Sequence, residues 1–152
     1  MTKELFETAV KDGRPVCYYL FRDLGLGKDC KYFVETGTHE GHSVQFALDL
    51  GFEEILSCEF MTNRYTECMN RFSNNDNVSL WCGTSIDSLP GMLEQINKRS
   101  CFWLDAHDEG GGVPTFEELA LIKEHSIKDH TIIIDDVPTY FAGREKILEN
   151  TL

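Results

Sequence analysis

The sequence predicts an α/β fold, three layers wound in both directions around a mostly parallel sheet. Three observations predict it. Short apolar runs alternate with helix-compatible segments, which implies βαβ units and parallel strand pairing. CFWLD and TIIID are nearly continuous apolar runs, as expected of central strands covered on both faces. Glu35, Glu59, Asp105, Asp135 and Asp136 all fall at the carboxyl ends of strand-like runs. That rim is where sheets of this kind bind ligands.

The elements follow in order. TKELFETAV and PVCYYLFRDL read as two helices within residues 1–28, the second opening on Pro15. KYFVET is the first strand, and HSVQFALDLG a helix ended by Gly51. EEILSCEF is the second strand and TNRYTECMNRF the second crossover helix. NVSLWCG forms a third strand after the turn-rich NNDN. SIDSLPGMLEQINK holds a helix expected from Pro90 onward, since proline fits a first turn. SCFWLD is the fourth strand, EGGGVP a mobile loop, and TFEELALIKEH a helix with a capping box at Thr115 and Glu118. HTIIIDD is the fifth strand, and GREKILENTL begins a further helix.

At 152 residues the chain has the length of one domain. Its formal net charge of −12 repels nucleic acid and anionic membrane, so neither is an expected partner. No apolar run reaches the roughly 20 residues that span a bilayer. MTKELFETAVKDG lacks the apolar core of a signal peptide, so a cytoplasmic protein is expected. Of six cysteines, none forms a CxxC pair. Cys58, Cys82 and Cys101 sit in strand-like runs and read as buried reduced thiols.

The turn in FVETGTHEGHS, residues 33–43, carries the first chemical signal. A dinucleotide turn reads G-x-G-x-x-G. Here Gly37-Thr38-His39-Glu40-Gly41 lacks the middle glycine that lets a pyrophosphate approach. Glu35 and Glu40 flank it and would repel phosphate, and no GK[ST] follows. An acidic turn suits a cationic ligand without phosphates. S-adenosylmethionine, with its sulfonium and ammonium groups, is such a ligand.

ETGTHEGHSV resembles the first motif of class I S-adenosylmethionine-dependent methyltransferases, in the E-x-G-x-x-x-G-x-S form of small-molecule O-methyltransferases. SCEF, CGTSIDSLPGML, FWLDAH and IIIDDV resemble the later motifs, in order, so that the likeness covers about residues 30–140. It implies a Rossmann-like sheet in the order 3-2-1-4-5 and a cofactor-binding core over 30–140. Glu35, Gly37, Thr38 and Gly41 would form the methionine-side turn, with Ser43 capping the next helix or touching the ligand. Glu59 would accept both ribose hydroxyls, Thr84 and Ser85 would lie near adenine, and Asp105 would meet the ammonium group. The family sheet normally ends in an antiparallel pair. That pair is expected to be absent here, which would expose a sheet edge that a second subunit could cover.

Asp105, Asp135 and Asp136 end two strands expected to be neighbours. Clustered carboxylates repel one another unless a cation sits among them, and oxygen ligands suit Mg²⁺ or Mn²⁺. Metal-dependent O-methyltransferases use such a set to bind the acceptor hydroxyl, so the resemblance implies a metal on these three residues. His107 is the candidate general base, because an imidazole titrates near neutral pH. His39 and His42 read as turn and helix-start residues, and His125 and His130 lie at the opposite edge. The expected activity is methylation of a hydroxyl on a sugar or phenol-like acceptor. The alternatives are transfer without metal, using His107, and a non-catalytic cofactor-binding module.

Overall fold

The computed structural model describes residue 21 and residues 25–107 and 110–135. The expected N-terminal helices, the final helix, Cys17, Asp108 and Asp136 lie outside the described residues. Five strands form one all-parallel sheet in the order β3-β2-β1-β4-β5, as expected. They are β1 (Tyr32–Thr36), β2 (Glu54–Glu59), β3 (Val78–Cys82), β4 (Ser100–Leu104) and β5 (Thr131–Ile134). The helices between them are α1 (His42–Leu50), α2 (Thr62–Arg71), α3 (Ser85–Gln95) and α4 (Thr115–Glu124).

Alternation along the strands builds two cores. Phe33, Ile55, Cys101 and Trp103 pack on one face with Val44, Phe46 and Ala47 of α1 and Cys68 of α2. Val34, Leu56, Phe102 and Leu104 pack on the other with Leu89, Met92 and Leu93 of α3 and Ile122 of α4. All five residues of β4 are buried, as the apolar run predicted. β5 departs from the central strand that its apolar run predicted, though it stands last in the sheet as the order 3-2-1-4-5 implied. It pairs with β4 alone among the described residues, is only half-buried, and leaves Ile132 exposed. Cys82 also departs, being exposed at the end of β3, while Cys58 and Cys101 are buried free thiols.

Two helix starts differ from expectation. α3 begins at Ser85 and carries Pro90 inside it, because Thr84 caps the helix by accepting from Asp87 N at 3.2 Å. α4 has no capping box. Pro114 is its N-cap, no side chain caps it, and Glu118 is fully buried rather than reaching back.

The chain order reverses between β1 and β4, and the two strand ends meet there. Asp105 N donates to Thr36 O at 3.1 Å. A Cβ on Gly37 would stand 2.6 Å from Asp105 O, and Gly37 has φ +91°, so only glycine fits this contact.

Candidate cofactor site

A cavity of about 970 Å³ opens at this switch point, beyond the carboxyl ends of the strands. Gly37, Glu59, Thr84, Ser85, Asp105 and His107, six of the residues expected from sequence, line it together. Glu35, Thr38, Gly41, Ser43 and Asp135 are not on its wall, and Asp136 lies outside the described residues.

The turn after β1 is closed by its own hydrogen bonds. Gly37 N and Thr38 N both donate to Cys58 O at 3.0 Å, and Gly41 N donates to Thr38 O at 2.8 Å. His39 N donates to Glu59 Oε2 at 2.7 Å. Four of the turn's amides are thus committed inside the protein. A phosphate site needs such amides turned outward.

Glu35 supports this turn from beneath. It is fully buried and accepts from Ser43 Oγ and from Ser57 Oγ, the latter at 2.7 Å. Ser57 Oγ also meets Thr38 Oγ1 at 2.6 Å, so Thr38 donates while Ser57's proton serves Glu35. Burial pushes the Glu35 carboxyl up to about 7; the Ser43 and Ser57 hydrogen bonds oppose the shift, and Asp105 and Glu59 add to it. Glu35 is therefore only partly charged at neutral pH, which weakens its expected repulsion of phosphate. Glu40, exposed and 3.8 Å from His42, retains that role. Ser43 does not cap α1, whose N-cap is Gly41 without a side-chain bond; its hydroxyl goes to Glu35 instead.

Glu59 is tightly held on the cavity wall. Only 3% of it is exposed, and Met61 N donates to its Oε1 at 2.8 Å while His39 N holds Oε2. Each oxygen keeps a further lone pair, so the carboxylate can still accept two hydroxyls. Thr84 Oγ1 both caps α3 and donates to Asp87 Oδ2 at 2.7 Å. Asp105 is half-buried beside Gly37 and Ala106. Asp135 N donates to Leu104 O at 3.0 Å, which sets Asp135 next to Asp105 at adjacent strand ends. No group of three or more metal-ligand side chains is assembled among the described residues.

Sequence reasoning ranked His39 as a turn residue first and a pocket residue second, saw that the EGGGVP loop could close over the site, and did not single out Phe60, Arg64 or Ile86. His39 lines the cavity in a left-handed backbone conformation, φ 49°, rather than serving the turn alone. Phe60 and Arg64 line the wall beside Glu59, and Ile86, Val113 and Pro114 add apolar surface. Phe60 carried a usable signal. It is a large apolar residue directly after a strand-end acid, and it is 38% exposed.

No family profile matches the chain, and no curated protein matches it in sequence. Solved structures match it in fold. A methyltransferase from Podospora anserina, bound to S-adenosylhomocysteine, has a TM-score of 0.65 at 15% identity, over 97% of this chain and 66% of its own. The O-methyltransferase TomG of Streptomyces achromogenes, with S-adenosylmethionine, has a TM-score of 0.66 at 14% identity, over 95% of this chain and 70% of its own. An O-methyltransferase of Bacillus cereus, with S-adenosylhomocysteine, has a TM-score of 0.61 at 17% identity, over 99% of this chain and 70% of its own. The chain has the fold of these methyltransferases. It spans about two thirds of the length of the structures it matches. No described helix is long and apolar enough to cross a membrane.

Proposed function

We propose that the chain binds S-adenosylmethionine in this cavity and methylates a hydroxyl oxygen of a small acceptor, a sugar or a phenol. The observation that carries the reading is Glu59. Its carboxylate stands on the cavity wall beside a turn whose amides are already used, a site for hydroxyls and cationic groups rather than phosphates. A volume of about 970 Å³ falls within the usual range for small-ligand sites, ~300–1,000 Å³.

When bound, S-adenosylmethionine supplies an electrophilic methyl group, whose transfer to the acceptor oxygen breaks the carbon–sulfur bond and leaves S-adenosylhomocysteine. The chain's own residues bind and orient. Glu59 accepts the ribose hydroxyls, Thr84 and Ser85 stand at the adenine end, and Asp105 faces the cationic end. His107, on the same wall as Asp105, takes the proton that the acceptor hydroxyl gives up. Phe60 offers an apolar surface next to Glu59.

Calorimetric titration with S-adenosylhomocysteine tests the reading. Saturable binding is expected, weakened about tenfold or more by Glu59→Ala, as for loss of charged hydrogen bonds. No binding would sink it. Assistance by Mg²⁺ or Mn²⁺ on Asp105, Asp135 and Asp136 is a separable part. The described residues do not by themselves complete a metal site. If metal assists, chelator and Asp136→Asn abolish methyl transfer while S-adenosylhomocysteine still binds. Indifference to both, with loss of activity in His107→Ala, favours the metal-free reaction. Binding without transfer to any hydroxylated acceptor favours a non-catalytic module.

A further inference from the structure

Glu118 lies on the first turn of α4 with 0% relative exposure, and neither of its carboxyl oxygens has a hydrogen-bond partner. Ser85 Oγ, on the first turn of α3, is also buried and unpartnered. Among the described residues, these three are the buried side-chain polar atoms left in that state. They belong to one place. The Ser85 and Thr36 hydroxyls are near enough to Glu118 to act on its carboxyl without meeting hydrogen-bond geometry. Ser85 lines the cavity, and Thr36 ends β1 just before Gly37. A buried orphan polar group costs about 1–3 kcal/mol, and native proteins leave few of them. Helix capping does not account for Glu118, since α4 has no side-chain cap.

We propose that Glu118 is a positioning residue: from behind the cavity wall it holds Ser85, and with it the first turn of α3, in place against the ligand. The role of the ligand rests on the cofactor reading above; the hold on α3 does not. Burial pushes the Glu118 carboxyl up, opposed by the Ser85 and Thr36 hydroxyls and reinforced by Glu117 on its own helix. Cys58 of β2 is itself raised to about 12, by burial first and by Glu118 in addition. Bearing its proton, the carboxyl can donate to one hydroxyl and accept from the other. It thereby joins the end of β1 to the start of α3 through α4.

Glu118→Gln and Glu118→Leu test this through amide exchange, thermal melts from pH 5 to pH 8.5, and S-adenosylhomocysteine affinity. Ser88 N, which donates to Thr84 O at 3.0 Å, reports the first turn of α3 without any ligand. Its exchange is expected to quicken about tenfold in the Leu variant and to stay near wild type in Gln. The sign of the pH effect follows from a raised carboxyl. The folded state holds the proton more tightly, so stability is full below 4.5 and falls as pH rises. Gln, permanently neutral, therefore gains on wild type as pH rises. The Leu variant binds S-adenosylhomocysteine about tenfold more weakly and Gln does not. Unchanged Ser88 exchange in the Leu variant overturns the proposal, as does a Gln-minus-wild-type melting difference that stays flat with pH. If wild type binds no S-adenosylhomocysteine, the cofactor reading fails, while the exchange and melting results still decide the hold on α3.

Discussion

At the scale of single residues, Gly37 carries the heaviest constraint. Its φ is +91°, and a methyl group added there would come within 2.6 Å of Asp105 O, which is backbone and cannot yield. Gly37→Ala combines left-handed strain with that clash. It should lower stability by about 2–3 kcal/mol, a fall in melting temperature of about 5–10 °C. A melt unchanged within about 1 °C would refute the contact. The sequence disclosed this glycine, since a glycine after a strand end is a local signal. It disclosed Glu35 less well. Its identity suggested a charged flank, but its state depends on Ser57 arriving from β2 and Ser43 from α1, and burial by other elements leaves no local mark. Glu118 was misread for the same reason. Thr-x-x-Glu is a local pattern, and the packing of α4 against the sheet overrode it.

Among the elements, α3 shows how local rules compete. Pro90 suggested a helix start, yet Thr84 caps the helix and buries Ser85, Ser88 and Leu89. The gain from that cap and face outweighs the amide hydrogen bond that proline cannot make. The turn from α4 into β5 holds a device that the sequence showed only as two spare histidines. Ser100 N donates to His130 Nδ1 at 3.1 Å, which fixes the His130 proton on Nε2. That nitrogen meets His125 Nδ1 at 2.9 Å, leaving the His125 proton on Nε2 to reach Ile96 O at 3.2 Å. One neutral tautomer of each ring satisfies every bond, and a second proton on either ring sets two N–H groups face to face. Burial lowers His130, and His125, Arg99 and Lys128 lower it further against the pull of Asp129. Its contribution to stability is full above pH 6.5 and is lost as pH falls from there through the lowered value of the folded state. Relative to His130→Asn, which keeps an acceptor for Ser100, wild type should lose melting temperature between pH 7.5 and pH 5.5. Parallel pH profiles would show the pair to be inert.

For the whole molecule, topology was the most legible property. Parallel pairing follows from alternating βαβ units and their handedness, which are linear features, while the strand order was implied by the resemblance of the motifs. The sides of the sheet were less legible. Near-continuous apolar runs suited both β4 and β5, but only neighbours decide coverage, and β5 has β4 alone among the described residues. Charge is the other global property. With 26 acids against 14 bases, the folded chain repels itself. Ion pairs such as Lys31–Glu53 are exposed and offset little of this. Raising NaCl from about 0.02 M to about 0.3 M should therefore raise the melting temperature by a few degrees, as the screening length falls. A flat or falling response would count against self-repulsion.

The closed turn after β1 also bears on attempts to re-engineer the cofactor. His39→Gly with His42→Gly would place glycines at 37, 39 and 42, the spacing of a dinucleotide turn, and the backbone at 39 is already left-handed. The new sequence would carry the signature without the site. Gly37 N and Thr38 N would still point inward to Cys58 O. Converting this chain to a dinucleotide binder would mean moving β2 relative to the turn, so the specificity is written into the seam between strands and not into the glycines.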